Sequence, residues 1–328
     1  MSALGPAQID TARMQTSQPG ADALVLFGAT GDLAVRKLFP ALYRLERSGA
    51  LHVPVIGVAR SEWTDDDFRR HARESIDEHI DDPDPDVVDS VCRRLDLVQG
   101  DYADEMTWNE LRATLDRHNS MVAVFYMAIP PSMFPTVATK LASVGLNRRG
   151  RIVVEKPFGR NLDSAIELNR TLHEVFSEDH IFRIDHYLGK EAVEDLLVFR
   201  FANTLLEPVW NRNYVRSVQV TMSETLDIEG RGSFYEGVGA IRDVLQNHLL
   251  QVVSLLAMEP PAGADSNFLQ DEKAKVIAAM RPIDTDALVR GQYVGYRDEP
   301  GVDPNSDVET FAAVRLEIDS WRWAGVPW

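Results

Sequence analysis

Four segments of the 328-residue chain bring together side chains that handle phosphates, sugars and protons. Gly28-Ala-Thr-Gly-Asp-Leu-Ala34 lies between an apolar run and a helical pattern. Glycines in such a turn let the backbone approach a pyrophosphate, and the following helix N-terminus points amide donors at it. The spacing is G-x-x-G-x-x-A rather than G-x-G-x-x-G, so the placement of the turn carries the reading. Gly28, Thr30, Gly31, Asp32 and Leu33 are candidate dinucleotide contacts; the competing reading is an ordinary strand-to-helix turn. At the end of the next strand, where a carboxylate would accept from a ribose 2′-hydroxyl, stand Arg60 and Ser61. An arginine there favours a 2′-phosphate, hence NADP, with NAD use left open. Lys37 adds a cation nearby, although a lone surface lysine or arginine is more commonly just solvated.

Val154-Glu-Lys-Pro-Phe-Gly159 ends a strand with Lys156 beside a proline, and X-Pro is the bond type that can be cis in a tight turn. Arg183-Ile-Asp-His-Tyr-Leu-Gly-Lys190 gathers Asp185, His186, Tyr187 and Lys190 at a strand exit, where a phosphate could be gripped. In Ile241-Arg-Asp-Val-Leu-Gln-Asn-His-Leu-Leu-Gln251, i+4 steps put Asp243, Asn247 and Gln251 on one α-helical ridge with His248 beside it. From pattern alone His248 reads more readily as a hydrogen-bonded core histidine, because Val244 and Val252 lie one turn away. The eight histidines show no His-Glu-x-x-His or other ligand spacing, so a metal is not implied.

These side chains need a scaffold, and hydrophobic periodicity supplies its outline. Residues 23–27, 54–59, 121–129 and 151–154 read as buried strands with helical stretches between them, which predicts a doubly wound parallel sheet. Pro40 sits inside the first helical pattern and should kink it. Further on, 217–223 and 311–318 alternate as half-buried strands, while Val238, Ile241, Leu245, Leu249, Val252 and Leu256 mark a long helix. The expected organisation is a mobile tail over residues 1–22, a Rossmann domain over 23–198, and an α+β domain with a mainly antiparallel sheet over 199–328.

Composition narrows the function classes. The formal charge of −17 makes broad affinity for nucleic acid or an anionic membrane improbable. Residues 62–119 hold 18 acidic against 7 basic side chains, read as solvated helical faces and loops. No apolar run approaches the roughly 20 residues of a spanning helix. Cys92 is the only cysteine, so an intramolecular disulfide and a cysteine-built zinc site are excluded. Without a basic-then-apolar leader, a reducing, cytoplasmic setting is the expectation.

The motifs in their order resemble the glucose-6-phosphate dehydrogenase family from about residue 23 to residue 328. Besides those above, Glu191 after Lys190, Glu229-Gly-Arg-Gly232, Gln246-Asn-His248 and Trp321-Arg-Trp-Ala-Gly-Val-Pro327 carry the resemblance. It implies an NADP-linked enzyme of the oxidative pentose phosphate pathway, with a Rossmann domain and an α+β domain that builds a homodimer or homotetramer. It makes His248 the base that takes the proton from the sugar C1 hydroxyl, with Asp185 as its partner. His186, Tyr187 and Lys190 would then hold the 6-phosphate of glucose 6-phosphate. Lys156 would serve both substrate and cofactor, Glu224 and Asp243 would accept from other hydroxyls, and the product would be 6-phosphogluconolactone.

The chain departs from the family at its end. The family continues past Trp328 into another strand and an Arg-Thr-Gly-Lys stretch whose cations join the substrate pocket. A shortened product is therefore expected to leave a sheet edge open and Trp321, Trp323 and Trp328 short of partners. A short-chain reductase shares the glycine spacing but needs Tyr-x-x-x-Lys, and no tyrosine here has a lysine four residues on. The other alternative is a catalytically idle NADP-binding module.

Overall fold

The computed structural model describes residues 20–328 apart from Arg160, Leu226, Glu229 and Ala264. Most of the expected tail, and Glu229 of the Glu229-Gly-Arg-Gly232 motif, lie outside the described residues. Asp22 is held at the chain's entry into the first unit, accepting from the Met121 and Val122 amides at 2.7 and 2.9 Å. The chain separates into two compact units that part between Ile184 and Asp185. The helix Glu191–Phe201 runs across positions 198 and 199.

The unit ending at Ile184 is built on six strands: β1 (Ala23–Phe27), β2 (Val55–Ala59), β3 (Leu95–Gln99), β4 (Ala123–Met127), β5 (Arg151–Glu155) and β6 (Ile181–Ile184). All pair in parallel, in the order β3-β2-β1-β4-β5-β6. The pleat sends alternate side chains of β1 to opposite faces. Val25 and Phe27 enter one core with Trp108, Leu111 and Phe134, and Leu26 enters the other with Phe39, Phe68 and Ile76. Both faces are covered, which is why β1 and β2 read as continuous apolar runs.

Two details differ from the sequence expectation. β3 falls inside the acidic stretch read as helical faces and loops; its Leu95-Asp-Leu-Val-Gln99 pattern is that of an edge strand. Pro40 does not break a helix. A π-helical turn, Ala34–Leu38, precedes the α-helix Phe39–Arg47, so Pro40 stands in that helix's first turn, where an amide donor has no intrahelical partner anyway.

In the unit Asp185–Trp328, β7 (Leu288–Gly291) and β8 (Phe311–Val314) form an antiparallel pair, extended by a bridge between Met280 and Ile318. Residues 217–223 keep the predicted alternation of exposed and half-buried side chains yet join no ladder. Alternation reports which face is covered, whereas a strand also requires a neighbour for its amides and carbonyls. Trp321 is 90% exposed, with the Arg212 guanidinium 5.8 Å from its ring centroid. Trp323 corrects the expectation: it is fully buried, donates from Nε1 to Ala257 O at 2.7 Å, and packs edge-on against Trp210 and Trp328. Beneath it the buried Arg200 guanidinium donates to Leu255 O and Met258 O at 2.7 and 2.8 Å.

Candidate active site

The strand order reverses between β1 and β4, and Gly28 stands at that switch point, where open α/β sheets hold their ligands. Its φ of +77° is one that side-chain-bearing residues rarely adopt, and a Cβ there would lie 2.3 Å from Ala128 O. Backbone thus passes backbone with no room for a methyl group, the cradle a pyrophosphate requires. The Gly28 amide itself is spent: it donates to Val58 O at 3.1 Å and to Tyr102 Oη at 2.8 Å. Tyr102 Oη donates in turn to Val58 O at 3.2 Å, and burial pushes this phenol up to about 12, so it stays protonated. Gly28 therefore contributes close approach, and the donors fall to the helical turn that follows.

The other candidates of this unit surround the turn. Thr30 accepts from Ser61 Oγ at 3.1 Å, which ties the glycine turn to the end of β2. Arg60 beside it is 74% exposed, with Asp101 at 4.0 Å. Lys37 is exposed, and Asp32 pairs with Arg36 at 3.3 Å. A cavity of about 200 Å³ opens beyond the C-terminal ends of β4 and β5, lined among others by Leu33, Met127, Pro131, Glu155 and Lys156. The Lys156-Pro157 bond is cis, and Glu155 accepts from the Tyr126 hydroxyl.

In the unit Asp185–Trp328, a 3-10 turn and a π-helix build the second candidate site. Asp185 caps the turn His186–Gly189, accepting from the Tyr187 amide at 2.9 Å. The same oxygen, Oδ1, lies 2.6 Å from His248 Nδ1, and the His248 side chain is only 2% exposed. An ionised carboxylate can only accept, so Nδ1 carries the hydrogen and Nε2 becomes the ring's basic nitrogen. The Tyr187 ring stacks on His248 at 4.7 Å with 19° between planes, and His186 meets it edge-on at 4.7 Å. Lys190 Nζ stands 4.0 Å from the Tyr187 ring centroid. His186 and Lys190 are exposed, so the turn presents an imidazole and an ammonium to solvent directly beside the buried His248.

His248 rides on a π-helix, Ile241–Leu249, rather than on the expected α-helix. Hydrogen bonds running i to i+5 widen each turn beyond the 3.6 residues that the i+4 ridge assumes. The predicted ridge of Asp243, Asn247 and Gln251 is thereby interrupted, since Gln251 lies in the α-helix Leu250–Ala257 that follows. Asn247 Nδ2 donates to Arg242 O, five residues back, at 2.8 Å.

The structure brings Asp185, His186, Tyr187, Lys190 and His248 together. Glu224 is exposed and Asp243 half-buried, and both act electrostatically on Tyr235, whose hydroxyl burial pushes up to about 12. Sequence reasoning missed Tyr102, Tyr235 and Lys273. The last is buried on the helix Ser266–Ala279, where burial pulls its ammonium below the ordinary lysine range. A charged residue at a buried phase of a helical pattern was the one available signal for it.

Residues 25–195 match the family model for the glucose-6-phosphate dehydrogenase NAD binding domain, and residues 197–328 match the model for its C-terminal domain. Glucose-6-phosphate 1-dehydrogenase 1 of Mycobacterium tuberculosis is 47% identical over 308 residues, covering 93% of this chain and 65% of the relative. The glucose-6-phosphate 1-dehydrogenase of Dickeya dadantii is 42% identical over 330 residues, covering 95% and 67%. A crystal structure of the Mycobacterium avium enzyme superposes with a TM-score of 0.89 at 48% identity, covering 94% of this chain and 68% of that one. A structure of glucose-6-phosphate dehydrogenase in complex with its substrate glucose-6-phosphate gives 0.89 at 40% identity, covering 95% and 69%. The chain thus spans 65% of the length of the mycobacterial relative. With two family models covering nearly all of it, the chain belongs to the glucose-6-phosphate dehydrogenase family.

Proposed function

We propose that the chain carries the machinery for NADP-dependent oxidation of glucose 6-phosphate at C1, giving 6-phosphogluconolactone. The observation that carries this reading is the buried His248–Asp185 pair at 2.6 Å, with an exposed histidine and lysine on the adjoining turn. His186, Tyr187 and Lys190 hold the 6-phosphate, and Glu224 and Asp243 accept from sugar hydroxyls. His248 Nε2 takes the proton of the C1 hydroxyl as the O–H electron pair forms the C1 carbonyl and the C1 hydrogen departs with its bonding pair. Asp185 stays ionised, keeps hold of Nδ1–H and stabilises the imidazolium. The nicotinamide of NADP, when bound, supplies the acceptor for that hydride. Gly28 and the turn through Leu33 fit its pyrophosphate, Arg60 and Lys37 its 2′-phosphate, and Lys156 lines the cavity beside the switch point.

No helix among the described residues is long and apolar enough to cross a membrane. The cytoplasm and a homodimer or homotetramer are the setting this reading takes for the whole enzyme. The test is reduction of NADP by the chain on addition of glucose 6-phosphate, repeated with His248→Asn. Turnover is expected to fall at least a hundredfold in the variant while NADP affinity changes less than twofold, since removing a general base typically costs ~10²–10⁴. Equal loss of both would count against His248 as the base. NADP binding by calorimetry without any sugar-phosphate-dependent reduction would leave only a cofactor-binding module.

A further inference from the structure

Ligand atoms of Asp185, His186 and His248 lie within 4.8 Å of one another, the only such group of three His, Cys, Asp or Glu side chains among the described residues. Two imidazoles and a carboxylate form a set that zinc accepts, with a fourth position open to water. Spacing in the sequence could not show it, because Asp185 and His248 stand 63 residues apart. The individual side chains point the same way. Asp185 Oδ2 is buried and has no hydrogen-bond partner among the described residues, and an oxygen shut away from water calls for a donor or a cation. His248, 2% exposed, is fixed beneath the Tyr187 ring stacked on it at 4.7 Å. The His186 ring is exposed and meets the Tyr187 and His248 rings edge-on at 5.9 and 4.7 Å, with no hydrogen bond or ion pair of its own among the described residues. A rigid pair of ligands thus lies beside a third that is free to turn.

We propose that the dyad is also a binding site for a divalent ion of the zinc type, held by Asp185, His186 and His248, and that the ion disarms the base. The site rests on geometry alone; the inhibition rests on the dehydrogenase reading above. The His248 nitrogen that faces Asp185 is Nδ1, 2.6 Å from Oδ1, so the ion enters between these two atoms. Tetrahedral zinc sets neighbouring ligands about 3.3 Å apart, so this pair opens by about 0.7 Å and the widest separation closes by about 1.5 Å as the exposed His186 ring turns inward. A neutral imidazole carries one hydrogen. With the metal on Nδ1 that hydrogen moves to Nε2, and no proton is gained or lost. Nε2 is the nitrogen that takes the proton of the sugar hydroxyl, so the occupied site has no base. His186 is withdrawn from the 6-phosphate at the same time, and the ion and glucose 6-phosphate exclude one another.

The probe is Zn²⁺ alone, titrated calorimetrically into the chain in a non-chelating buffer with excess Mg²⁺. Magnesium prefers oxygen ligands and fills the loose carboxylate sites of a chain with net charge −17. One equivalent of zinc is expected to bind. Affinity is expected to fall about tenfold or more in His186→Ala, where the exposed position leaves the fold intact, and in His248→Asn. His118→Ala removes a histidine paired with Asp96 at 2.6 Å without a third ligand among the described residues, and should bind zinc like the parent. Imidazole nitrogen NMR gives a readout independent of affinity: the His248 hydrogen should stand on Nδ1 without zinc and on Nε2 with it. Unchanged affinity in His186→Ala, an equal loss in His118→Ala, or a hydrogen that stays on Nδ1 would overturn the proposal.

Activity assayed in parallel separates the two readings. Zinc should raise the apparent KM for glucose 6-phosphate at unchanged kcat, and EDTA should restore the original rate. Zinc held at these three residues in a chain that never reduces NADP would sink the dehydrogenase reading alone. A lowered kcat at unchanged KM would sink the exclusion of substrate, and with it the placement of the ion on the dyad.

Discussion

Replacing Gly28 by alanine tests the claim that the glycine turn is set by backbone passing backbone. The added methyl meets two separate penalties. The φ of +77° lies in the left-handed region, which costs a side-chain-bearing residue about 1–2 kcal/mol. The Cβ would also lie 2.3 Å from Ala128 O and 2.9 Å from Ile129 Cγ2, against a normal carbon–oxygen approach of roughly 3.3 Å. About 1 Å must be found by moving the turn away from the end of β4, and both are anchored by ladder hydrogen bonds. Overpacking of this kind costs about 1–3 kcal/mol, so the sum is about 3 kcal/mol. Gly49 provides the control: its φ is +69°, yet its added Cβ would have nothing within 4 Å. Gly49→Ala should therefore show the dihedral cost alone, about 1 kcal/mol. Urea unfolding of the two variants beside the parent, read as midpoint at constant slope, isolates the contact as the difference between them. Calorimetric titration with NADP should show affinity lowered at least tenfold in Gly28→Ala and unchanged in Gly49→Ala. The reasoning fails if the two variants are equally stable, or if Gly28→Ala binds NADP like the parent.

Two further outcomes follow from individual side chains. Arg60→Asp places a second carboxylate near Asp101 at the end of β2 and should lower the NADP-to-NAD preference by at least tenfold; an unchanged ratio of dissociation constants would remove Arg60 from the phosphate site. At Glu259, hydrogen bonding from the Arg322 guanidinium holds the carboxyl below its usual range, against a smaller upward push from burial. Its stabilisation is therefore present above the unfolded value of ~4.3 and is lost as pH falls through the folded value. With 53% of that side chain exposed, the effect stays below about 1 kcal/mol. Thermal melts of the chain and of Glu259→Gln should differ near neutrality and converge as the pH falls through the folded value, and a constant gap would refute the pairing.

Local pattern in the sequence was sufficient wherever the cause is local. A strand buried on both faces is apolar along its whole length, so β1, β2, β4 and β5 stood out, and a glycine turn after such a strand marks the switch point before any topology is known. β3 escaped because an edge strand in an acidic stretch shows only a few alternating apolar side chains. The alternation over 217–223 was read correctly as to face and incorrectly as to pairing, because a ladder depends on a neighbour far away in the chain.

The chemistry divides in the same way. The sequence by itself determined which side chains could carry a proton, grip a phosphate or approach a pyrophosphate, since those are properties of residue type and short spacing. Only the tertiary structure decided that His248 meets Asp185, 63 residues earlier, at 2.6 Å, and hence which ring nitrogen is basic. It alone decided that His248 rides on a π-helix, and that Trp323 is buried while Trp321 is not. Protonation, tautomer and burial are set by the field and packing of groups remote in the chain, and no window of neighbouring residues contains them.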